Sequence, residues 1–205
     1  VFSNFQHRIN QIRYLTLGLG ALLTTGCVTL APPTQTEWDK HQAQLDAIST
    51  YTATGSLAYR DQTQRYSSSL FWAHEPDKDR IRLTSFVGKT ILSVEKTPAL
   101  TSITDADGQT YLGHDINEMT YQLTGLALPF SELGDWLLGL PNGADSYTLN
   151  EYQRLQDVTI MLDGEPWVLT YDQYDYALTP AMPTKLTLKS SDRTILIRIK
   201  QWKTE

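Results

Sequence analysis

One cysteine, Cys27, stands in the whole sequence, so an intrachain disulfide and any multi-cysteine metal site are excluded. Histidine is scarce as well, and His7, His41, His74 and His114 are too scattered to form a ligand set by spacing. Positive charge is in the minority. The 17 Lys and Arg face 23 Asp and Glu, a formal −6, with no basic stripe of the kind nucleic acid requires. The most apolar stretch, Tyr14–Thr25, is short of the roughly 20 residues that cross a bilayer as a helix. Catalytic signatures are missing too. No G-x-S-x-G elbow occurs. Gly88-Lys89-Thr90 resembles the tail of a phosphate-binding loop, but Leu83 stands where the leading glycine is needed. His74-Glu75 begins a zinc-protease pattern that Pro76 and Lys78 break. Carboxylates such as Asp105, Asp107, Asp163 and Asp192 sit at turn positions, where local hydrogen bonding accounts for them.

What is present begins with an address. Arg8 and Arg13, with no acidic neighbour, precede the apolar run YLTLGLGALLTT, the order of a secretory signal peptide. The run ends at Leu23-Thr24-Thr25-Gly26-Cys27, which resembles a bacterial lipobox, although the position three before the cysteine is Thr24 rather than Leu. The expected organisation is residues 1–26 as a removed signal peptide, 27–36 as a lipidated N-terminus and tether, and 37–205 as a single domain. Cys27 would carry the acyl chains, and several chains together hold a protein stably on a bilayer where one does not. Val28 follows the cysteine rather than the Asp that resembles an inner-membrane retention signal. The expected location is therefore the periplasmic face of an outer membrane. Loss of Arg8 and Arg13 leaves 15 basic groups against the same 23 acidic ones, a formal −8.

In the body of the chain, Thr34 and Glu37 have capping-box spacing, with Trp38, Leu45 and Ile48 on one face of a helix over about 37–48. From Tyr51 onward the period changes from helical to two, as in Tyr66-Ser68-Leu70-Trp72 and Ile195-Ile197-Ile199. Asp107-Gly108, Asn142-Gly143 and Asp163-Gly164 are hairpin dipeptides. Eleven short strands are expected, near 51–59, 66–72, 80–85, 90–95, 100–104, 109–112, 146–149, 154–162, 167–172, 184–189 and 194–202. Hairpin-length connections make the sheet an antiparallel barrel or a strongly curled sheet. Two amphipathic helices interrupt it. Asp115 caps the first, which carries Ile116, Met119 and Leu123 and stops at Gly125; Ser131 caps the second, which carries Leu133, Trp136, Leu137 and Leu140. Their apolar faces need cover, and the open side of the sheet is the place for it.

Several stretches together resemble the LolB family of outer-membrane lipoproteins. They are Cys27, the Trp38–Leu45 helix, Gly55-Ser56-Leu57-Ala58-Tyr59, Phe71-Trp72, Phe86-Val87-Gly88, Glu118–Pro141, Trp167–Tyr174, Pro180-Ala181-Met182-Pro183 and the closing strand to Trp202. The helical block is the most specific of them. The resemblance implies an incomplete, half-open antiparallel barrel of about eleven strands, mainly β with helices over the open side, enclosing an apolar cavity. It implies a monomer that takes lipoproteins from the periplasmic carrier LolA and places their acyl chains in the outer membrane, without catalysis, cofactor or nucleotide. It also implies that the loop Phe86-Val87-Gly88 enters the membrane, Val87 standing where the family usually has a larger Leu. An apolar turn tip is costly in water and gains on entering lipid, which points the same way. Shielding acyl chains needs an apolar hollow, and Leu57, Leu70, Trp72, Leu83, Leu92, Val94, Trp136 and Leu137 are the candidates to line it. The competing reading is a lipid-anchored, lipocalin-like binder of a small lipophile, which the helical block and the apolar turn disfavour.

Overall fold

The computed structural model describes residues 36–162 and 164–205; Cys27, the signal segment and most of the tether lie outside them. The element order is α1 (Glu37–Asp46), β1 (Tyr51–Arg60), β2 (Arg65–Glu75), β3 (Lys78–Thr84), β4 (Thr90–Lys96), β5 (Thr101–Thr104), β6 (Thr110–Gly113), α2 (Ile116–Thr124), α3 (Phe130–Leu138), β7 (Ser146–Leu149), β8 (Leu155–Leu162), β9 (Glu165–Asp175), β10 (Met182–Lys189) and β11 (Thr194–Thr204). All eleven strands join one antiparallel sheet in the order β6-β5-β4-β3-β2-β1-β11-β10-β9-β8-β7. Neighbours in space are neighbours in sequence except at β1–β11, where the first and last strands meet. The sheet does not close. Its free edges are β6 and β7, and the chain passes from one to the other through α2 and α3. The helical pair therefore links the two edges in sequence, with α3 packed on β10 and α2 beside β5.

Period-two patterning makes one face of this sheet apolar. Leu70, Leu83 and Leu92 lie opposite one another across β2, β3 and β4, and Trp72, Ile81 and Val94 form the next row. Each of these six is 1–3% exposed. At Gly55 the backbone of β11 comes so close that an added Cβ would lie 1.9 Å from the Arg198 carbonyl oxygen. A register shift between Thr54 and Gly55 marks a bulge there, so glycine is a steric requirement of the β1–β11 seam.

The helix ends differ from expectation in instructive ways. The α1 capping box forms between Thr36 and Asp39: Asp39 N–H donates to Thr36 Oγ1 at 3.0 Å and Thr36 N–H to Asp39 Oδ2 at 2.9 Å. The first helical residue is Glu37, so the third is Asp39, and Glu37 instead pairs with Lys40. Thr34 lies outside the described residues. The helix ends at Asp46, short of Ile48. Asp115 caps α2 as expected, accepting from Asn117 N–H and Glu118 N–H, and Gly125 ends it with φ +70°. Ser131 does not cap α3. The helix starts at Phe130 after Pro129, and Ser131 N–H donates to Asn117 Oδ1 of α2 at 3.2 Å. The cap is supplied by a neighbouring helix because Ser131 is already inside the first turn.

Candidate functional site: an apolar loop and a capped concave face

Ser85–Lys89 joins β3 to β4 as a tight turn: Gly88 N–H donates to Ser85 O at 2.9 Å and Ser85 N–H to Lys89 O at 2.8 Å. Gly88 has φ +84° and nothing within 4 Å of where its Cβ would be. Phe86 and Val87 occupy the two central positions and are 96% and 73% exposed. They do not fold back on the sheet. A turn whose tip is a bare phenyl and an isopropyl group, followed by the exposed cation Lys89, has the amphipathic pattern of a membrane-interface contact. Phe86, the larger and more exposed of the two, directly precedes Val87.

The eight residues expected to line a cavity come together. Leu57, Leu70, Trp72, Leu83, Leu92 and Val94 face inward from β1–β4, and Trp136 and Leu137 descend onto the sheet from α3. All lie in one buried cluster, 0–3% exposed. Exposure that low leaves no water-sized space against them, so in this state they form core and an open apolar hollow is not shown. The same cluster contains inward residues of β8–β11, such as Leu155, Leu169, Leu186 and Ile197, which strand periodicity reveals but which were not named as candidates.

The two covering helices are held differently. Five of the nine residues of α3 are buried, and its backbone is stitched to the sheet. Tyr51 OH donates to Gly134 O at 3.0 Å and Tyr171 OH to Trp136 O at 2.9 Å, while Trp136 Nε1 ties the helix to the loop that follows it, donating to Asn142 O at 3.2 Å. Burial, more than the nearby carboxylates, pushes both tyrosine hydroxyls well above their usual pKa, so they remain donors at any physiological pH. By contrast, α2 buries only Ile116 and Thr120, and Tyr121 is 53% exposed. Thr120 Oγ1 is buried without a partner. Ile116 joins the core and Met119 and Leu123 pack partly against it; the rest of what fastens α2 is polar, Asn117 bridging to Ser131 and Glu132 of α3 and Gln64 Nε2 donating to Gly125 O.

A cleft of about 510 Å³ opens beside α2, floored by Leu128, Pro129, Leu162 and Trp167 and edged by Asp115, Glu118, Glu132 and Glu165. The one cation on its wall, Arg193, is taken by Glu165 at 3.0 Å. Strand direction sets its position. The turn after β3, the end of β8 and the start of β9 lie at the same end of the antiparallel sheet, so the cleft and the Phe86–Val87 loop share one rim.

Residues 49–202 match the family model of the outer membrane lipoprotein LolB. The chain belongs to the LolB family. An outer-membrane lipoprotein LolB of Pectobacterium carotovorum is 35% identical over 202 residues, spanning 94% of this chain and 97% of that one. Those of Vibrio vulnificus and Yersinia enterocolitica are 34% and 33% identical, each over 92% of this chain and at least 95% of their own. Among solved structures the fold resembles a putative outer membrane lipoprotein-sorting protein domain from Vibrio parahaemolyticus, at a TM-score of 0.56 and 11% identity over 81% of this chain and 89% of that one. A LolA superfamily protein from Nitrosomonas europaea follows at 0.50 and 8%, over 81% and 92%. Membership in the LolB family makes this an outer-membrane lipoprotein of the lipoprotein localisation pathway, a trafficking protein and not an enzyme. Among the described residues no helix is long and apolar enough to cross a membrane.

Proposed function

We propose that this protein accepts the acyl chains of a lipoprotein from the soluble carrier LolA and passes them to the outer membrane, held there by lipid on Cys27 with its domain on the periplasmic side. Exposing a 16-carbon chain to water costs on the order of 12 kcal/mol at ~0.8 kcal/mol per CH₂, so the cargo must be sheltered throughout. The concave apolar face supplies the surface, and displacement of α2 supplies the room. The observation that carries the reading is the bare Phe86–Val87 tip on the same rim as the cleft beside α2. A mouth that opens at that rim discharges where the loop meets lipid. The carboxylates around the cleft offer a docking surface to a basic rim on the carrier, and such docking weakens with salt.

The test is a two-step transfer: carrier-bound lipoprotein is mixed with this protein, and membranes are then added. Val87→Glu and Phe86→Glu should each leave the first step intact and slow the second, because each forfeits roughly 1.5–3 kcal/mol of lipid burial, a ten- to hundredfold effect. Wild-type rates of membrane delivery in both variants would refute the assignment of the loop.

A further inference from the structure

Four tyrosine rings form a continuous chain at the end of the sheet opposite the Phe86–Val87 rim. Tyr171 and Tyr174 stack at 5.8 Å with an interplanar angle of 23°, Tyr174 lies 5.9 Å from Tyr176, and Tyr176 lies 5.2 Å from Tyr152. The inner pair is fixed by its hydroxyls, Tyr171 to Trp136 O and Tyr174 to Leu155 O. The outer pair is open to solvent, Tyr152 at 59% and Tyr176 at 51% exposure. Beside them is a concavity of about 390 Å³ whose wall combines Tyr171, Tyr174 and Tyr176 with Asn150, Asp172, Gln173 and Thr184. Packing of the core explains the inner rings but leaves the exposed pair without a function.

The wall contains no aliphatic side chain and no cation. Among the described residues, Asn150 uses only its carboxamide oxygen, accepting from Tyr152 and Arg154 N–H, which leaves its NH₂ unused. The Gln173 carboxamide and the Thr184 and Tyr176 hydroxyls make no side-chain hydrogen bond there. Asp172 engages Thr187 and Lys185 through one oxygen, and its other oxygen faces no partner. Aromatic faces beside neutral donors and acceptors match a molecule that is apolar on its ring faces and hydroxylated at its edges. That is a saccharide. The Asp172 carboxylate on the wall disfavours a phosphorylated sugar there.

We propose that this concavity binds a neutral, N-acetylated glycan chain, that of the cell wall. Pyranose C–H faces stack on Tyr176 and Tyr152, and the carboxamides of Asn150 and Gln173 meet acetamido and hydroxyl groups. The site goes beyond acyl-chain transfer; only the choice of glycan source rests on that reading, since a loop directed at the bilayer points the opposite end of the sheet away from it.

The test uses the full lipidated chain in detergent micelles, with co-sedimentation on purified cell-wall sacculi and titration with an N-acetylglucosamine tetramer. Wild-type protein should pellet with sacculi and bind the tetramer. Tyr176→Ala and Gln173→Ala should each weaken binding at least fivefold at unchanged melting temperature, and Tyr176→Phe should retain it, because stacking needs the ring. Phe86→Glu should pellet like wild type, which separates this site from the transfer reading. Failure of the wild type to bind either probe, equal binding by Tyr176→Ala, or competition by lipopolysaccharide but not by the tetramer would overturn the proposal.

Discussion

At the scale of single residues, two positions carry consequences that their chemistry alone would not suggest. Gly55 faces the Arg198 carbonyl at a distance no Cβ tolerates, and the obstacle is backbone of the seam strand rather than a side chain that could swing away. Gly55→Ala should therefore cost about 2–3 kcal/mol through forced displacement of β11, read as a lower denaturant midpoint at unchanged slope. His41 is the other. It is 2% exposed on α1, its Nδ1 has no partner, and burial, aided by the charge of Arg154, lowers its pKa to about 4. The unfolded chain has a histidine pKa near 6.5. The folded value is depressed, so the neutral ring is the stable buried form, and its full contribution is present above about pH 6.5. As pH falls toward 4 the unfolded state binds the proton first and stability is lost, by about 3 kcal/mol at most. Denaturant titrations at pH 7.5 and pH 5 should show that loss in the wild type and a smaller one in His41→Leu. Equal pH dependence in the two proteins would show that His41 is not the responsible group.

Among elements, the contrast between the two covering helices decides what can move. Extensive buried apolar contact and sheet-derived hydrogen bonds hold α3, whereas α2 buries one apolar residue, Ile116, rests Met119 and Leu123 partly on the core, and is otherwise tied by surface polar bonds above an orphaned hydroxyl. A buried group without a partner costs about 1–3 kcal/mol, which brings the opening of α2 within easier reach. Amides of α2 should exchange with deuterium at least about tenfold faster than those of α3 under native conditions; equal protection would mean that the pair moves as a unit. This division was only partly legible in the sequence. Most strands could be read because each shows its own period-two pattern, as in Arg80–Leu83 and Ile195–Ile199, while the short edge strands β6 and β7, exposed at three of four positions, were marked by the turns beside them. The exposed loop could be read because apolar residues sat where a turn belonged. The cap of α3 could not, since its acceptor, Asn117, lies 14 residues away on another helix. The tyrosine chain was equally hidden, because Tyr152 meets Tyr176 only when the turn after β7 folds beside the end of β9. The cavity assignment met a related limit: periodicity tells which side chains face inward, not whether they meet there.

For the whole molecule, the filled concave face turns acyl binding into a question of populations. On the proposed acyl-transfer reading, an apolar guest would need the space that α2 and the side chains beneath it now occupy, so it would bind an open form present as a small fraction, with its apparent affinity reduced by that fraction. Weakening the closed form should then act in opposite directions on stability and on binding. Asn117 is the place to test this, because its carboxamide ties α2 to the first turn of α3 through Ser131 N–H, Ser131 Oγ and Glu132, and it is not part of the apolar face. Asn117→Ala should cost about 1 kcal/mol of closed-state stability, as the loss of a cap usually does. If opening is the step that admits the guest, the same 1 kcal/mol raises the open fraction, and a fluorescent palmitoyl probe should bind about fivefold more tightly even as the melting temperature falls. A preformed hollow predicts the reverse, a less stable protein whose probe affinity is unchanged or weaker, because no closed state would be competing with the guest.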